Sequence, residues 1–358
     1  MKKRRKIAVV TGSRADYGYL LPVIRRIYKS DELQLRLIIT GMHLSPRHGN
    51  TCRLIERDGF NINAKVPMLP MLESWTYMPE AIGDGIKGIA LALDKLSPDI
   101  LLVFGDRIET LAGAIAGSYM NIVVAHMHGG DRSKGDIDER ARHAITKMSH
   151  LHFPATRLSA KRIRKMGERK ELIFPVGSTT IDVIKGLKLK TRKQLGADLG
   201  LDDRDFVLVL QNPVTTEPQA SYAEMKETLL ALRSFPELAK VVVMPNADAG
   251  YLGINRAIEE FKKEVKLKVF INLERLDYLS LFNYARALIG NSSSGIIEAP
   301  SFKLPAINLG IRQAGRERST NVIDVPHDKA KIVRAIRKAL YDKKFKEQVR
   351  RCVSPYGD

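Results

Sequence analysis

Between Phe104 and Phe153 the chain reads FGDRIETLAGAIAGSYMNIVVAHMHGGDRSKGDIDERARHAITKMSHLHF, and ionisable side chains gather where its apolar runs stop. Asp106 and Arg107 follow ILLVF (Ile100–Phe104). His126, His128 and Asp131 follow IVVA (Ile122–Ala125), and Asp138, Arg142 and His143 come next in the helical pattern DERARHAITK. Carboxylates from three separate places, Asp106, Asp131 and Asp138, can supply a general base and a general acid if their environments set their pKa values apart. His128 stands with them as a catalytic candidate, and Arg107, Arg142 and His143 are counted among the substrate contacts. Asp138 and Arg142, like Glu139 and His143, are spaced i, i+4. That spacing is ordinary for pairing on a helix surface, but it also lets Arg142 hold the charge of an Asp138 turned toward a site. His126-x-His128 would put two metal ligands on one strand face. No third ligand follows at a fixed spacing, so hydrogen bonding to a sugar or phosphate is the preferred reading, and no metal is expected.

Apolar run, small-residue helix and second apolar run make a parallel crossover. In open parallel sheets ligands sit beyond the carboxyl ends of the strands, which is where these residues fall. The same rhythm runs through the chain. KIAVV (Lys6–Val10), LRLII (Leu35–Ile39), ILLVF, NIVVA and LIFPV (Leu172–Val176) each give way to a polar turn. A second series begins after Lys190-Thr191-Arg192, with FVLVL (Phe206–Leu210), VVVM (Val241–Met244), VFI (Val269–Ile271), ALIG (Ala287–Gly290) and PAINL (Pro305–Leu309). The expected class is α/β, with two Rossmann-like doubly wound domains, residues 1–180 and 181–340, and a ligand cleft between them. Residues 341–358 are expected to join the first domain, although DKKFKEQVRRCVSPYGD ends in a turn with no further element after it.

Two turns suit an anion. TGSRADYG (Thr11–Gly18) opens a helix at the first strand end, with Arg14 beside backbone N–H groups; a plain capped turn is the competing reading. GNSSSGIIE (Gly290–Glu298) sets Ser292, Ser293 and Ser294 at another helix start, where a diphosphate would meet dipole and donors together. Glu298 is placed one turn on for ribose hydroxyls, and Arg312 and Arg316 follow the next strand within reach of the same anion. Gly83-Asp84-Gly85-Ile86-Lys87-Gly88 matches GxGxxG but sits inside a helical pattern, not after a strand. With it goes the sequence argument for a bound nicotinamide cofactor.

With 358 residues and 44% apolar content the chain can bury two ordinary cores. Cys52 and Cys352 make no disulfide framework. MKKRRK is followed by too short an apolar run for a signal peptide, so a soluble cytoplasmic protein with no membrane partner is expected. The net charge of +19 raises nucleic-acid binding. Lysine and arginine are spread over ordinary amphipathic helices, however, and aromatic residues do not interleave with them as a stacking platform requires. No nucleic-acid partner is expected.

TGSRADYG, TGMHLS, FGDRIE, HMHGGDRSKGDIDERARHAITKMSHLHF, QNPVTT, PNADAG, GNSSSGIIEAPSF and INLGIRQAGRERSTNVIDV follow one another over nearly the full length. In this series the chain resembles the hydrolysing UDP-N-acetylglucosamine 2-epimerases. The resemblance implies a glycosyltransferase-B type fold with UDP mainly on the C-terminal half. Ser292, Ser293 and Arg312 would hold the diphosphate, Glu298 the ribose and Arg14 the phosphates from the other side; Ser294, Asn212 and Asn246 complete the candidate UDP contacts. Asp106, Asp131 and Asp138 match the acidic catalytic group. The implied reaction is loss of the C2 proton and of UDP to give 2-acetamidoglucal, then hydration to free N-acetylmannosamine, with no cofactor. Relatives usually have histidine where Asn212 stands and glutamate where Asp131 stands, and some have glutamate in place of His128. A UDP-2,4-diacetamido-2,4,6-trideoxyglucose substrate and a non-hydrolysing epimerase remain open as alternatives, and a homodimer or homotetramer is expected.

Overall fold

The computed structural model describes residues 4–71, 74–133, 137–246 and 248–357. They form two compact units, one of Met1–Arg132 with Ile137–Asp182, the other built on Val183–Asp358.

In the first unit the elements are β1 (Arg5–Thr11), α1 (Arg14–Tyr28), β2 (Leu33–Thr40), α2 (Cys52–Arg57), β3 (Ile62–Val66), α3 (Tyr77–Leu96), β4 (Ile100–Phe104), α4 (Ile108–Tyr119), β5 (Val123–Met127), α5 (Ile137–Lys147), β6 (Leu151–Phe153) and α6 (Arg157–Lys165). α7 (Thr179–Gly186) carries the chain across the boundary. The six strands pair in parallel in the order β3-β2-β1-β4-β5-β6. Both faces of this sheet are covered, which is why β1 and β4 read as unbroken apolar runs without alternation. Ile7 and Val9 pack with Leu20, Ile24, Leu37 and Ile39 on one face; Ala8 and Val10 pack with Ile89, Leu93, Leu101 and Val103 on the other. The order reverses between β1 and β4, so the strand ends that spread apart there belong to Thr11 and Phe104.

The second unit repeats the plan with α8 (Arg192–Leu199), β7 (Phe206–Leu210), α9 (Ser221–Leu232), β8 (Ala239–Val243), α10 (Tyr251–Phe261), β9 (Leu267–Phe270), α11 (Arg275–Tyr284), β10 (Leu288–Gly290), α12 (Ser294–Ile297), β11 (Ala306–Leu309), β12 (Val322–Val325), α13 (Lys329–Tyr341) and α14 (Lys343–Arg350). Its parallel sheet runs β12-β11-β10-β7-β8-β9. α13 shows what much of the positive charge does. Ile332, Ala335, Ile336, Ala339 and Leu340 are buried at helical spacing while Arg334, Arg337 and Lys338 remain in solvent. Among the described residues no helix is long and apolar enough to cross a membrane.

Three expectations change. LIFPV is not a strand: Ile173 makes an isolated bridge to His152, and although the N–H groups of Phe174 and Val176 donate to the His152 and Pro154 carbonyls at 2.8 and 3.1 Å, Pro154 has no N–H to donate in return, and Phe174 and Val176 are 44% and 53% exposed. Conversely β3, β6 and β12 escaped the reading. All three lie at sheet edges, where one side lacks a neighbour and a strand is short and less apolar. Lastly, residues 341–358 do not join the first unit. Phe345 and Val349 of α14 belong to the core around β7 and α13, and the Cys352 Sγ–H donates to the Pro300 carbonyl at 3.6 Å. Two half-turns of apolar side chain facing α13 decide this, each fully buried group contributing about 1.5–3 kcal/mol.

Gly290, which ends β10, has φ 140°, and a Cβ there would lie 2.0 Å from the Leu210 carbonyl oxygen. Gly290→Ala should therefore cost at least about 3 kcal/mol, seen as a lower thermal unfolding midpoint or insoluble protein. A variant as stable as the parent would show that β10 can move away from β7.

Candidate active site

The first unit gathers its charges on one buried arginine. Arg142 of α5 is 2% exposed, so its guanidinium has to find partners inside the protein. Its Nε donates to Asp106 Oδ2 at 2.9 Å, its Nη2 donates to the same oxygen, and its Nη1 donates to the Asp131 main-chain carbonyl at 2.9 Å. One cation thus joins the end of β4 to the loop after β5. His126, the last-but-one residue of β5, reinforces that join. Its Nε2–H donates to the Gly105 carbonyl at 2.7 Å, and its Nδ1 lies 3.2 Å from Thr146 Oγ1, which donates to the Arg142 carbonyl. Burial pushes the His126 pKa down to about 3, so the ring is neutral and serves as a fixed link.

The turn beyond β5 is held in an uncommon shape. His128 has φ 59°, in the left-handed region, at a cost of order 1–2 kcal/mol for a residue with a Cβ. Its ring packs 4.7 Å from Phe104 and 5.6 Å from Tyr19, centroid to centroid, and its N–H donates to the Phe153 carbonyl at 3.0 Å. Gly130 follows at φ 74°, with its carbonyl taken by Arg162 Nη1 from α6. Asp131 is 7% exposed and accepts from the Arg132 N–H at 2.9 Å. Asp138 is half-buried in the first turn of α5, and burial lowers the pKa of His143, whose Nε2 lies 3.7 Å from Glu139. Asp106, Asp131 and Arg142 are thus brought together by direct bonds. Arg162 was missed, since nothing in its spacing marks it as reaching Gly130.

The turn at Thr11–Gly18 is a capped turn. Asp16 accepts from the N–H groups of Gly12, Ser13 and Tyr17 at 2.9, 2.7 and 2.9 Å, and Ser13 completes a capping box. Those three amides are taken by an internal carboxylate. Arg14 is half-buried as the first residue of α1.

In the second unit neutral amides do the tying. Asn291, fully buried, accepts from the Asn212 N–H at 2.7 Å and donates to the Asn212 carbonyl at 2.8 Å, extending the β7–β10 pairing through a side chain. Asn212 Oδ1 accepts from the Asn246 N–H at 3.0 Å, so Asn212 joins the ends of β7 and β8. The Asn291 carbonyl takes Gln313 Nε2 at 2.9 Å and Arg312 Nη1 at 3.3 Å. Ser292 and Ser293 are half-buried beside them, while the Ser294 hydroxyl accepts from Tyr278 at 2.7 Å. Glu298 is 1% exposed and accepts from Arg275 Nη2 at 2.6 Å, a partner 23 residues away that sequence reading did not supply. α12 has a single turn, residues 294–297, because Pro300 follows. Its aligned peptides are too few for the full helix dipole expected of it. What gathers at these strand ends is a row of hydroxyl, amide and guanidinium donors suited to a polar, anionic ligand.

Two Rossmann-like units, one with buried carboxylate–arginine chemistry and one with polar strand-end loops, define an enzyme of the nucleotide-sugar class. Residues 25–358 match the Epimerase_2 family, UDP-N-acetylglucosamine 2-epimerase. The chain is 39% identical over 343 residues to UDP-N,N'-diacetylbacillosamine 2-epimerase (hydrolyzing) of Legionella pneumophila, covering 96% of this chain and 90% of that one. Polysialic acid biosynthesis protein P7 of Escherichia coli is 36% identical, with 98% and 90% covered. Among solved structures, UDP-GlcNAc 2-epimerase from Neisseria meningitidis bound to UDP-GlcNAc superposes with a TM-score of 0.84 at 20% identity, covering 98% and 96%. The chain belongs to the UDP-N-acetylglucosamine 2-epimerase family and has its glycosyltransferase-B type fold.

The buried histidines set a pH dependence. His126 and His43 have folded pKa values of about 3 and about 4, both lowered chiefly by burial. The unfolded chain, titrating at about 6.5, takes up these protons first, so stability falls as pH drops from about 6.5 toward 4. The thermal midpoint should decline between pH 7 and pH 5, each histidine contributing up to about 1.4 kcal/mol per pH unit. His126→Asn combined with His43→Gln should flatten that slope; an unchanged slope would assign it to other groups.

Proposed function

We propose that the protein is a hydrolysing 2-epimerase that converts UDP-N-acetylglucosamine and water to UDP and free N-acetylmannosamine. The observation that carries this reading is the Arg142 guanidinium bonded to Asp106 and to the Asp131 carbonyl in a chain of this family. A base removes the proton at C2. The electrons of that C–H bond form the C1–C2 double bond as the C1–O bond to UDP breaks. Water then adds its oxygen to C1, and an acid delivers a proton to the opposite face of C2. Inversion at C2 needs two proton carriers on opposite sides of the ring, and Asp106, Asp131, Asp138 and His128 are the groups assigned to that work. Arg142, bound to Asp106, holds that carboxylate in one orientation. Departure of UDP leaves charge on a phosphate oxygen, for which Arg14, Arg312 and the hydroxyls of Ser292 and Ser293 are the assigned donors. Asn212 is assigned a neutral donor role, and its amide bonded to the Asn246 N–H supports a positioning function for the loop.

A second reading has the same chemistry on UDP-2,4-diacetamido-2,4,6-trideoxyglucose. The relative from Legionella pneumophila, named for the diacetylbacillosamine nucleotide, favours it.

Proton NMR in D₂O tests both. Free N-acetylmannosamine deuterated at C2, appearing together with UDP, is expected. Accumulating UDP-N-acetylmannosamine would overturn hydrolysis, and turnover of the trideoxy sugar alone would select the second reading. Asp106→Asn should lower kcat by about 10²–10⁴-fold while UDP binds with affinity changed less than about twofold. Loss of UDP binding instead would make Asp106 a ligand-positioning group.

A further inference from the structure

β11 and β12 lie side by side and run parallel, yet residues 310–321 join them without a helix. A parallel crossover is usually built on a helix, whose internal hydrogen bonds fix its path. Here a side chain takes over that work. Arg318 is half-buried in the crossover. Its Nε donates to the Arg316 carbonyl at 3.3 Å, its Nη2 donates to the Gln313 carbonyl, and its Nη1 donates to Asp324 Oδ1. Asp324 belongs to β12 and stands opposite Asn308 of β11 in the strand register, and Asn308 Nδ2 donates to the same oxygen at 2.7 Å. One planar cation thus ties two points of the crossover to the sheet.

The tied segment is the one that reaches the donors after β10. Gly310 at φ 66° and Gly315 at φ 85° turn the chain, and the Ala314 N–H donates to the Ile311 carbonyl at 2.8 Å. Between those glycines, Arg312 Nη1 and Gln313 Nε2 both donate to the Asn291 carbonyl, directly before Ser292 and Ser293. Gln313 is therefore held at both ends, its main chain by Arg318 and its side chain by Asn291. A lysine, with a point charge on a flexible stem, could not match these three acceptors with a fixed fork. The charge of Arg318 is already met by Asp324, so its contribution is placement. We propose that Arg318 is a positioning residue for phosphate binding: it staples the crossover so that Arg312 stands beside Ser292 and Ser293 before the nucleotide arrives. A donor held in place avoids the ordering cost that a loose one incurs on binding. The inference rests on the assignment of Arg312 to the diphosphate made above.

Titrations with UDP and with uridine, which has no phosphate, read it on Arg318→Gln, Arg318→Lys, Arg312→Ala and the pair Arg312→Ala with Arg318→Gln, thermal midpoints being measured alongside. Arg318→Gln and Arg318→Lys should each weaken UDP binding by about 5- to 30-fold and uridine binding by less than about twofold. In the Arg312→Ala background Arg318→Gln should change UDP affinity by less than about threefold, because the group that it positions is gone. Asp324→Asn, which loosens the anchor, should fall between Arg318→Lys and the parent. It replaces Arg318→Gln in the cycle if that variant does not fold. Equal losses for UDP and uridine would make Arg318 a residue of the fold alone, and an Arg318→Lys variant that binds UDP like the parent would assign its effect to charge. Either result overturns the proposal, as would losses that multiply in the pair. An Arg312→Ala variant that binds UDP like the parent would instead sink the assignment of Arg312, and this inference with it.

Discussion

A guanidinium held out of water is the constraint on which the first unit's chemistry depends. Arg142 cannot shed its charge, so its N–H groups must be answered inside the fold. The answers come from the end of β4, through Asp106, and from the loop after β5, through the Asp131 carbonyl. α5, which carries Arg142, is tied back to β5 through Thr146 and the neutral ring of His126. Removing the cation would take three hydrogen bonds from a partly buried carboxylate and a buried carbonyl, which is a larger loss than any single apolar contact here. Rigidity of the carboxylate and stability of the strand ends are therefore one property of this unit.

That rigidity extends into the turn between His128 and Asp131. A histidine in the left-handed region persists when its surroundings over-determine it. Phe104 and Tyr19 hold its ring, the Phe153 carbonyl holds its N–H, and Arg162 and Arg142 hold the two carbonyls beyond it. Strain of this kind suits a group that must meet a substrate atom at a set angle without rearranging.

The second unit repeats the sheet plan of the first but joins its strand ends with neutral groups. Asn291 and Asn212 exchange hydrogen bonds as two strand residues would, and Asn212 passes the connection on to Asn246. A site framed in amides and hydroxyls keeps its shape whether or not an anion is bound, whereas a frame of charges would compete with the ligand for its own counter-ions. In that light asparagine at position 212 is a structural member of the loop.

The amino-acid order alone determined the two α/β units, the central strands, the family, and which polar and charged residues fall at the strand ends. Long apolar runs stopped by glycine and charge are local signals, and central strands covered on both faces carry them strongly. Edge strands such as β3 and β12 are exposed along one side and lack that signal. Which charges meet was decided only in three dimensions. Arg142 finds Asp106 36 residues earlier, Glu298 finds Arg275, and Glu109 runs beneath Gly12 and Gly41, none at a spacing that names its partner. At the turn before Arg14, the amides of Gly12 and Ser13 are filled by the Asp16 carboxylate, a partner that the sequence pattern did not name. Local pattern states which groups are available, and burial, by making each polar group find a partner, selects which pairs form.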